Sequence, residues 1–165
     1  MLFRQFFDSE TYTFTYLLAD NESKEAVLID PVLEQVERDL RLIKELDLNL
    51  LYLVETHVHA DHITGAAQIK KKTDAQTVVS QCAGVTNADI ILKTGDQLKF
   101  GIYHLEARET PGHTSGCMTL IMKHHNQTLA FTGDALFVRG CGRTDFQEGS
   151  PETLYQSVHE HIFSL

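Results

Sequence analysis

Between positions 55 and 65 the chain reads ETHVHADHITG, so His57, His59, Asp61 and His62 fall within six consecutive residues. Neutral imidazoles and carboxylates are common ligands of borderline transition metals, and zinc and iron both accept mixtures of the two. Two further stretches place the same ligand types beside a glycine, Thr110-Pro111-Gly112-His113 and Thr132-Gly133-Asp134. A Gly-His or Gly-Asp pair alone is an ordinary turn. In one chain with HxHxDH, His113 and Asp134 become candidates to converge with the cluster on an ion. The residues alone leave three outcomes open: two zinc ions for hydrolysis, one redox-active iron, or no metal. His104, His124, His125, His159 and His161 lack such a setting and are expected to be solvated or structurally satisfied.

Convergence needs stiff supports, and the ends of buried strands supply them. LNLLYLVET (48 to 56) is a near-continuous apolar run, expected to be a strand buried on both faces that delivers the cluster at its C-terminal end. Ahead of it, TYTFTYLLA (11 to 19) and EAVLIDP (25 to 31) flank the polar DNESK and predict an antiparallel hairpin. Leu33, Val36, Leu40, Ile43 and Leu46 recur at helical spacing, which predicts an amphipathic helix whose stripe is core. Behind the cluster, GAAQIKKK reads as a helix and QTVVSQ as a strand, continuing a β-α-β alternation. From about Asp89 the runs IILKTGDQLKF, IYHLEARET, CMTLIMKHH and QTLAFTGD look like four strands of an antiparallel meander. Ser150-Pro151-Glu152 then starts a last helix, with Ser150 as N-cap and Pro151 at the first helical position.

The 165 residues are one domain's worth of chain, and 42% hydrophobic content can fill a core. With 14 basic against 23 acidic side chains the net charge is −9, and no basic stripe suits a phosphate backbone, so nucleic acid is not an expected partner. The run Lys70, Lys71 and Lys72 closes an expected helix, where cations suit the dipole. No apolar stretch approaches the roughly 18 residues of a membrane span, and the N-terminus lacks the pattern of an export signal, so a cytoplasmic protein is expected. Cys82, Cys117 and Cys141 form no CxxC pair and are expected to be small, mostly buried thiols.

THVHADH (56 to 62), TPGHTSGC (110 to 117), FTGDALFVRGCGRTDF (131 to 146) and LYQSVHEHIF (154 to 163) resemble the metallo-β-lactamase superfamily. Within it the sequence is similar to the persulfide dioxygenases, a likeness that extends to TFTYLLAD, AVLIDPVLE (26 to 34) and LIKELDLNLLYLVETH (42 to 57). The resemblance implies an α/β (α+β) fold, an αββα sandwich, with a single domain over 1–165. It also implies one non-haem Fe(II) held by His57, His113 and Asp134, with His59, Asp61 and His62 orienting those ligands by hydrogen bonds. The implied reaction oxidises glutathione persulfide with dioxygen to sulfite and glutathione, and Arg143 matches a family arginine near the glutathione pocket. Family members are often dimers or larger, so a homodimer is the implied assembly. Members also continue to a further strand and helices that include a histidine in a P-A-H-like turn, so the chain is expected to be C-terminally incomplete relative to the family.

Two alternatives remain. HxHxDH and GCGR are also similar to glyoxalase II, a zinc thioester hydrolase in which His59 would join His57 while Asp61 and His62 held a second ion. The stop at Leu165 motivates the other, a truncated metal-binding domain without turnover.

Overall fold

The computed structural model describes all 165 residues, Met1–Leu165. The expected hairpin forms, with one further strand ahead of it. β1 (Leu2–Asp8) pairs antiparallel with β2 (Thr13–Ala19), and β2 pairs antiparallel with β3 (Glu25–Ile29). Nothing in LFRQFFD alternates cleanly, because β1 is a sheet edge and Phe3, Arg4 and Gln5 are all exposed. An edge strand with little to bury leaves no period to read.

After Pro31 a tight turn at Leu33–Gln35 leads into α1 (Val36–Glu45). Its apolar stripe is core as expected: Val36 and Ile43 are buried with Leu17, Leu28, Leu53 and Ile69, and Leu33, Leu40 and Leu46 pack on that cluster. β4 (Asn49–Val54) lies parallel to β3, and α2 (Ala66–Lys70) leads to β5 (Gln76–Ser80), parallel to β4. Interior strands flanked by parallel neighbours are buried on both faces, which is why the run at 48–56 was legible.

The run IILKTGDQLKF departs from the expected meander. Its first half, β6 (Ile90–Leu92), completes the six-stranded first sheet in parallel with β5, while its second half, β7 (Gln97–Phe100), opens a separate four-stranded sheet. The switch occurs in the turn between them, where Gly95 takes φ +92° and the Asp96 carboxylate accepts from the Lys93 amide at 3.0 Å. Glycine adopts that conformation without a Cβ penalty. The second sheet continues as the antiparallel ladder β7, β8 (Tyr103–Glu109), β9 (Met118–His124) and β10 (Gln127–Phe131).

The two sheets close face to face over one cluster. Leu18, Val27, Ile29, Val54 and Val78 come from the first sheet, and Phe100, Leu105, Ala107, Leu120 and Met122 from the second. Each of these side chains larger than alanine contributes about 1.5–3 kcal/mol on burial. The last helix, α3 (Pro151–Ser157), starts as expected, with the Ser150 hydroxyl accepting from the Thr153 amide at 3.2 Å, and widens into a π-type turn over Val158–Ile162. It covers the outer side of the second sheet, where Arg108 of β8 donates to the carbonyl of His161 at 3.0 Å. The resulting order of helix, sheet, sheet and helix is the αββα sandwich. No helix is long and apolar enough to cross a membrane. The thiols differ from expectation: Cys117 is buried, but Cys82, in a 3-10 turn after β5, and Cys141, in the loop after β10, are exposed.

Candidate metal centre

Four chain segments end on the same side of the sandwich. β3 runs into Asp30, β4 into Thr56 and His57, β8 into the loop bearing His113, and β10 into the turn bearing Asp134. His57 is 5% and His113 9% exposed, and one ligand atom from each of His57, His113 and Asp134 lies within 4.8 Å of the other two. The His113 Nε2 atom stands 3.4 Å from Asp134 Oδ2, and the two imidazole rings meet edge to face at 86° with centroids 5.0 Å apart. These three residues, 77 positions apart at their extremes (134 − 57), are brought together as the motifs implied.

Hydrogen bonds fix which ring nitrogen carries the lone pair. His113 Nδ1 lies 2.7 Å from the carbonyl oxygen of Arg143. A carbonyl only accepts, so Nδ1 bears the hydrogen and Nε2 is left to coordinate. The Thr56 hydroxyl donates to Asp30 Oδ2 at 2.8 Å and lies 3.0 Å from His57 Nδ1. Its one proton is thereby used, so His57 Nδ1 donates to it and His57 Nε2 keeps the lone pair. Burial, reinforced by the charge of His59, pulls the His57 imidazole down to about 3, which keeps it neutral at physiological pH. Burial pushes the Asp134 carboxyl upward against the pull of His113, a desolvation that a bound cation would offset. Two imidazole Nε2 donors and one carboxylate, delivered by separate loops, fit a divalent transition metal with open positions.

His59, Asp61 and His62 form an adjoining group, again within 4.8 Å of one another. His59 Nε2 is clasped between Asp30 Oδ1 and Glu55 Oε2, each at 3.3 Å. Burial alone would lower the His59 imidazole, but the flanking carboxylates of Asp30, which it hydrogen-bonds, and Glu55 push it up to about 11. His62 Nδ1 lies 3.3 Å from both Asp61 Oδ1 and the Thr13 hydroxyl, while its Nε2 is buried without a partner. A cavity of about 840 Å³ opens over this centre, lined by Tyr12, Phe14, Asp61, Asp134, Leu136 and Phe137 among others, with no lysine or arginine in its wall.

Arg143 is placed differently from the other expected residues. Its guanidinium is exposed and paired with Asp145 at 2.8 and 3.0 Å, so what it brings to the triad is its carbonyl oxygen on His113. Sequence reasoning missed Asp30, Glu55 and Thr56 as parts of the centre. The available signal for Asp30 was an acid that closes a buried apolar strand directly before a proline, AVLIDP.

Glycine lets the segments approach. Gly133 adopts φ +47°, and a Cβ there would stand 2.4 Å from the Thr56 hydroxyl. Gly133→Ala is therefore expected to displace Asp134, lower stability by about 1–3 kcal/mol and weaken metal retention; denaturation and metal content per chain check both.

The chain matches a family profile, named relatives and a solved structure. The profile of the Metallo-beta-lactamase superfamily matches residues 9–163. Over 100% of its length the chain is 55% identical to "Persulfide dioxygenase ETHE1, mitochondrial" of Homo sapiens, of which it covers 64%. It is 37% identical to hydroxyacylglutathione hydrolase GloC of Haemophilus influenzae, over 90% of this chain and 78% of that protein. The crystal structure of ETHE1 from Myxococcus xanthus superposes with a TM-score of 0.94 at 46% identity, covering all of this chain and 71% of that one. The chain thus spans just under two thirds of the human relative's length.

Proposed function

The chain belongs to the metallo-beta-lactamase superfamily, and from that premise we propose that it acts as a persulfide dioxygenase, converting glutathione persulfide, dioxygen and water to glutathione and sulfite. The observation that carries the reaction class is the 55% identity to a persulfide dioxygenase along the whole chain, against 37% to the hydroxyacylglutathione hydrolase. His57, His113 and Asp134 would hold one Fe(II) per chain. Bound there, iron would supply the one-electron chemistry that lets a sulfur substrate react with dioxygen.

The protein's own contribution is placement. The Arg143 carbonyl and the Thr56 hydroxyl hold the two imidazoles in the tautomer that presents Nε2. His59, Asp61 and His62 border the triad, with contacts to Asp30, Glu55 and Thr13, and would orient its ligands from outside. Tyr12, Phe14, Leu136 and Phe137 give the cavity an apolar wall that limits water around the reacting sulfur. Arg143 would serve as a carboxylate clamp for the glutathione moiety by exchanging Asp145 for a substrate carboxylate.

The adjoining group of His59, Asp61 and His62 favours a second reading, a glyoxalase II-like thioester hydrolase with zinc. A metal-binding domain without turnover is the third. Metal analysis of anaerobically purified protein, combined with oxygen uptake on glutathione persulfide and a parallel thioester assay, separates the three. About one iron per chain with oxygen consumed as sulfite appears is the expected result. Stoichiometric zinc with thioester hydrolysis and no oxygen uptake overturns the dioxygenase, and retained metal with neither activity selects the third reading. We further propose a homodimer located in the cytoplasm, although the human relative carries "mitochondrial" in its name; sedimentation and cell fractionation test these.

A further inference from the structure

Thr56 stands where the segments that carry the centre meet. Its amide and hydroxyl donate to Asp30 Oδ1 and Oδ2 at 2.7 and 2.8 Å, which ties β4 to the end of β3. Its carbonyl accepts from the Met118 amide at 2.8 Å, which ties β4 to β9 of the other sheet. Its hydroxyl lies against the position where a Gly133 side chain would stand, beside Asp134. Thr56 is 2% exposed and Asp30 4%, so water does not compete for these bonds.

We propose that Thr56 is a positioning residue for the metal: by giving its only hydroxyl proton to Asp30, it obliges His57 to carry hydrogen on Nδ1 and so leaves Nε2 free to coordinate. The inference rests on the metal-centre reading, but the tautomer it assigns is a property of the metal-free chain. An isolated neutral imidazole exchanges its hydrogen between the two nitrogens, and a ligand in the wrong tautomer must shed a proton from the coordinating nitrogen before it can bind. The relay removes that cost by letting Nδ1–H donate to a hydroxyl that has no proton left to offer in return. Asp30 acts only through Thr56, because its carboxylate makes no hydrogen bond to His57 itself. The backbone bond to Met118 persists whatever side chain stands at position 56, so the hydroxyl's role can be separated from the joint between sheets.

Long-range proton–nitrogen spectra of the imidazoles in metal-free protein, with Co(II) titration under chelator competition, test this. Wild type is expected to show His57 hydrogenated at Nδ1. Thr56→Val, which keeps shape and loses the hydroxyl, should show mixed tautomers and bind Co(II) about 10–100-fold more weakly, the usual cost of losing an outer hydrogen-bond partner. Thr56→Ser should restore both. Hydrogen at Nε2 in the wild type overturns the proposal, as does a folded Thr56→Val variant whose affinity stays within twofold of wild type. If Thr56→Val does not fold, the wild-type tautomer and the affinity of Thr56→Ser still decide, since a serine variant that binds tenfold more weakly also sinks it. Should the wild type bind no Co(II), the metal reading fails, while the spectra still report on the relay.

Discussion

Replacing His113 with alanine is expected to leave a folded chain that no longer retains a metal through gel filtration, with an affinity loss beyond the roughly 10–100-fold typical of an outer partner. His113 supplies one of three donors, and its loop is anchored independently by the Thr110 amide on the Cys117 carbonyl at 2.8 Å and by the Ser150 amide on the Gly112 carbonyl at 2.8 Å. Removing the ring therefore empties the site without dismantling the loop. His59→Ala is expected to behave in the opposite way. Metal content should persist, while stability falls, because Asp30 and Glu55 would be left facing each other in the interior without the imidazole that separates them. Metal per chain and thermal melting, measured on both variants, distinguish the two roles. Equal loss of metal in both would place His59 among the ligands and favour the zinc arrangement.

The contrast shows how much of the centre the sequence revealed. His57, His113 and Asp134 were legible as candidates because HxHxDH, Pro-Gly-His and Thr-Gly-Asp occur together in one chain, and the family resemblance singled out these three. Thr56 and Asp30 were not, because a threonine before a histidine and an aspartate before a proline are ordinary in turns. Their meaning lies in a hydrogen bond spanning 26 positions, which no local pattern encodes. Arg143 shows the same limit from the other side. Its residue type pointed to the guanidinium, whereas the contact it makes with the centre uses a carbonyl that any residue possesses.

The fold divides along similar lines. α1 and β4 bury a full face or both faces, so their periods survive in the sequence, while β1 at the edge buries too little to leave one. The split of IILKTGDQLKF between two sheets was hidden for a different reason. Periodicity reports that a strand is half-buried, not which sheet buries it, and Ile90–Leu92 and Gln97–Phe100 both satisfy that condition.

Asp30→Ala should be the most destabilising single change near the centre, lowering stability by about 3–5 kcal/mol, the range seen when one partner of a buried charged pair is removed. Asp30 is a non-glycine residue at φ +50°, a conformation that costs free energy unless its surroundings hold it. They do: its amide donates to the Val54 carbonyl at 2.9 Å, and its carbonyl accepts from the Thr15 hydroxyl at 2.7 Å. Burial raises its carboxyl, but the hydrogen bond and charge of His59, the nearby His57 and the Thr56 amide hold it below the usual carboxylate range. Alanine would strand the Thr56 amide and hydroxyl in the interior and leave the His59 imidazole with Glu55 alone. Set against the roughly 5–15 kcal/mol that stabilises a typical domain, that is a large share. Asp30→Asn separates charge from shape. Asparagine tolerates positive φ and still offers one acceptor, so its cost should fall to about 1–3 kcal/mol, that of one unsatisfied buried donor. Urea denaturation of metal-free protein at neutral pH reads both variants. An alanine variant within about 1 kcal/mol of wild type, at the mild end of ordinary substitutions, would mean that Asp30 is not what holds the strand ends together. The expected order, wild type above asparagine above alanine, would instead trace the rigidity of His57 back to a carboxylate that touches no ligand of the triad.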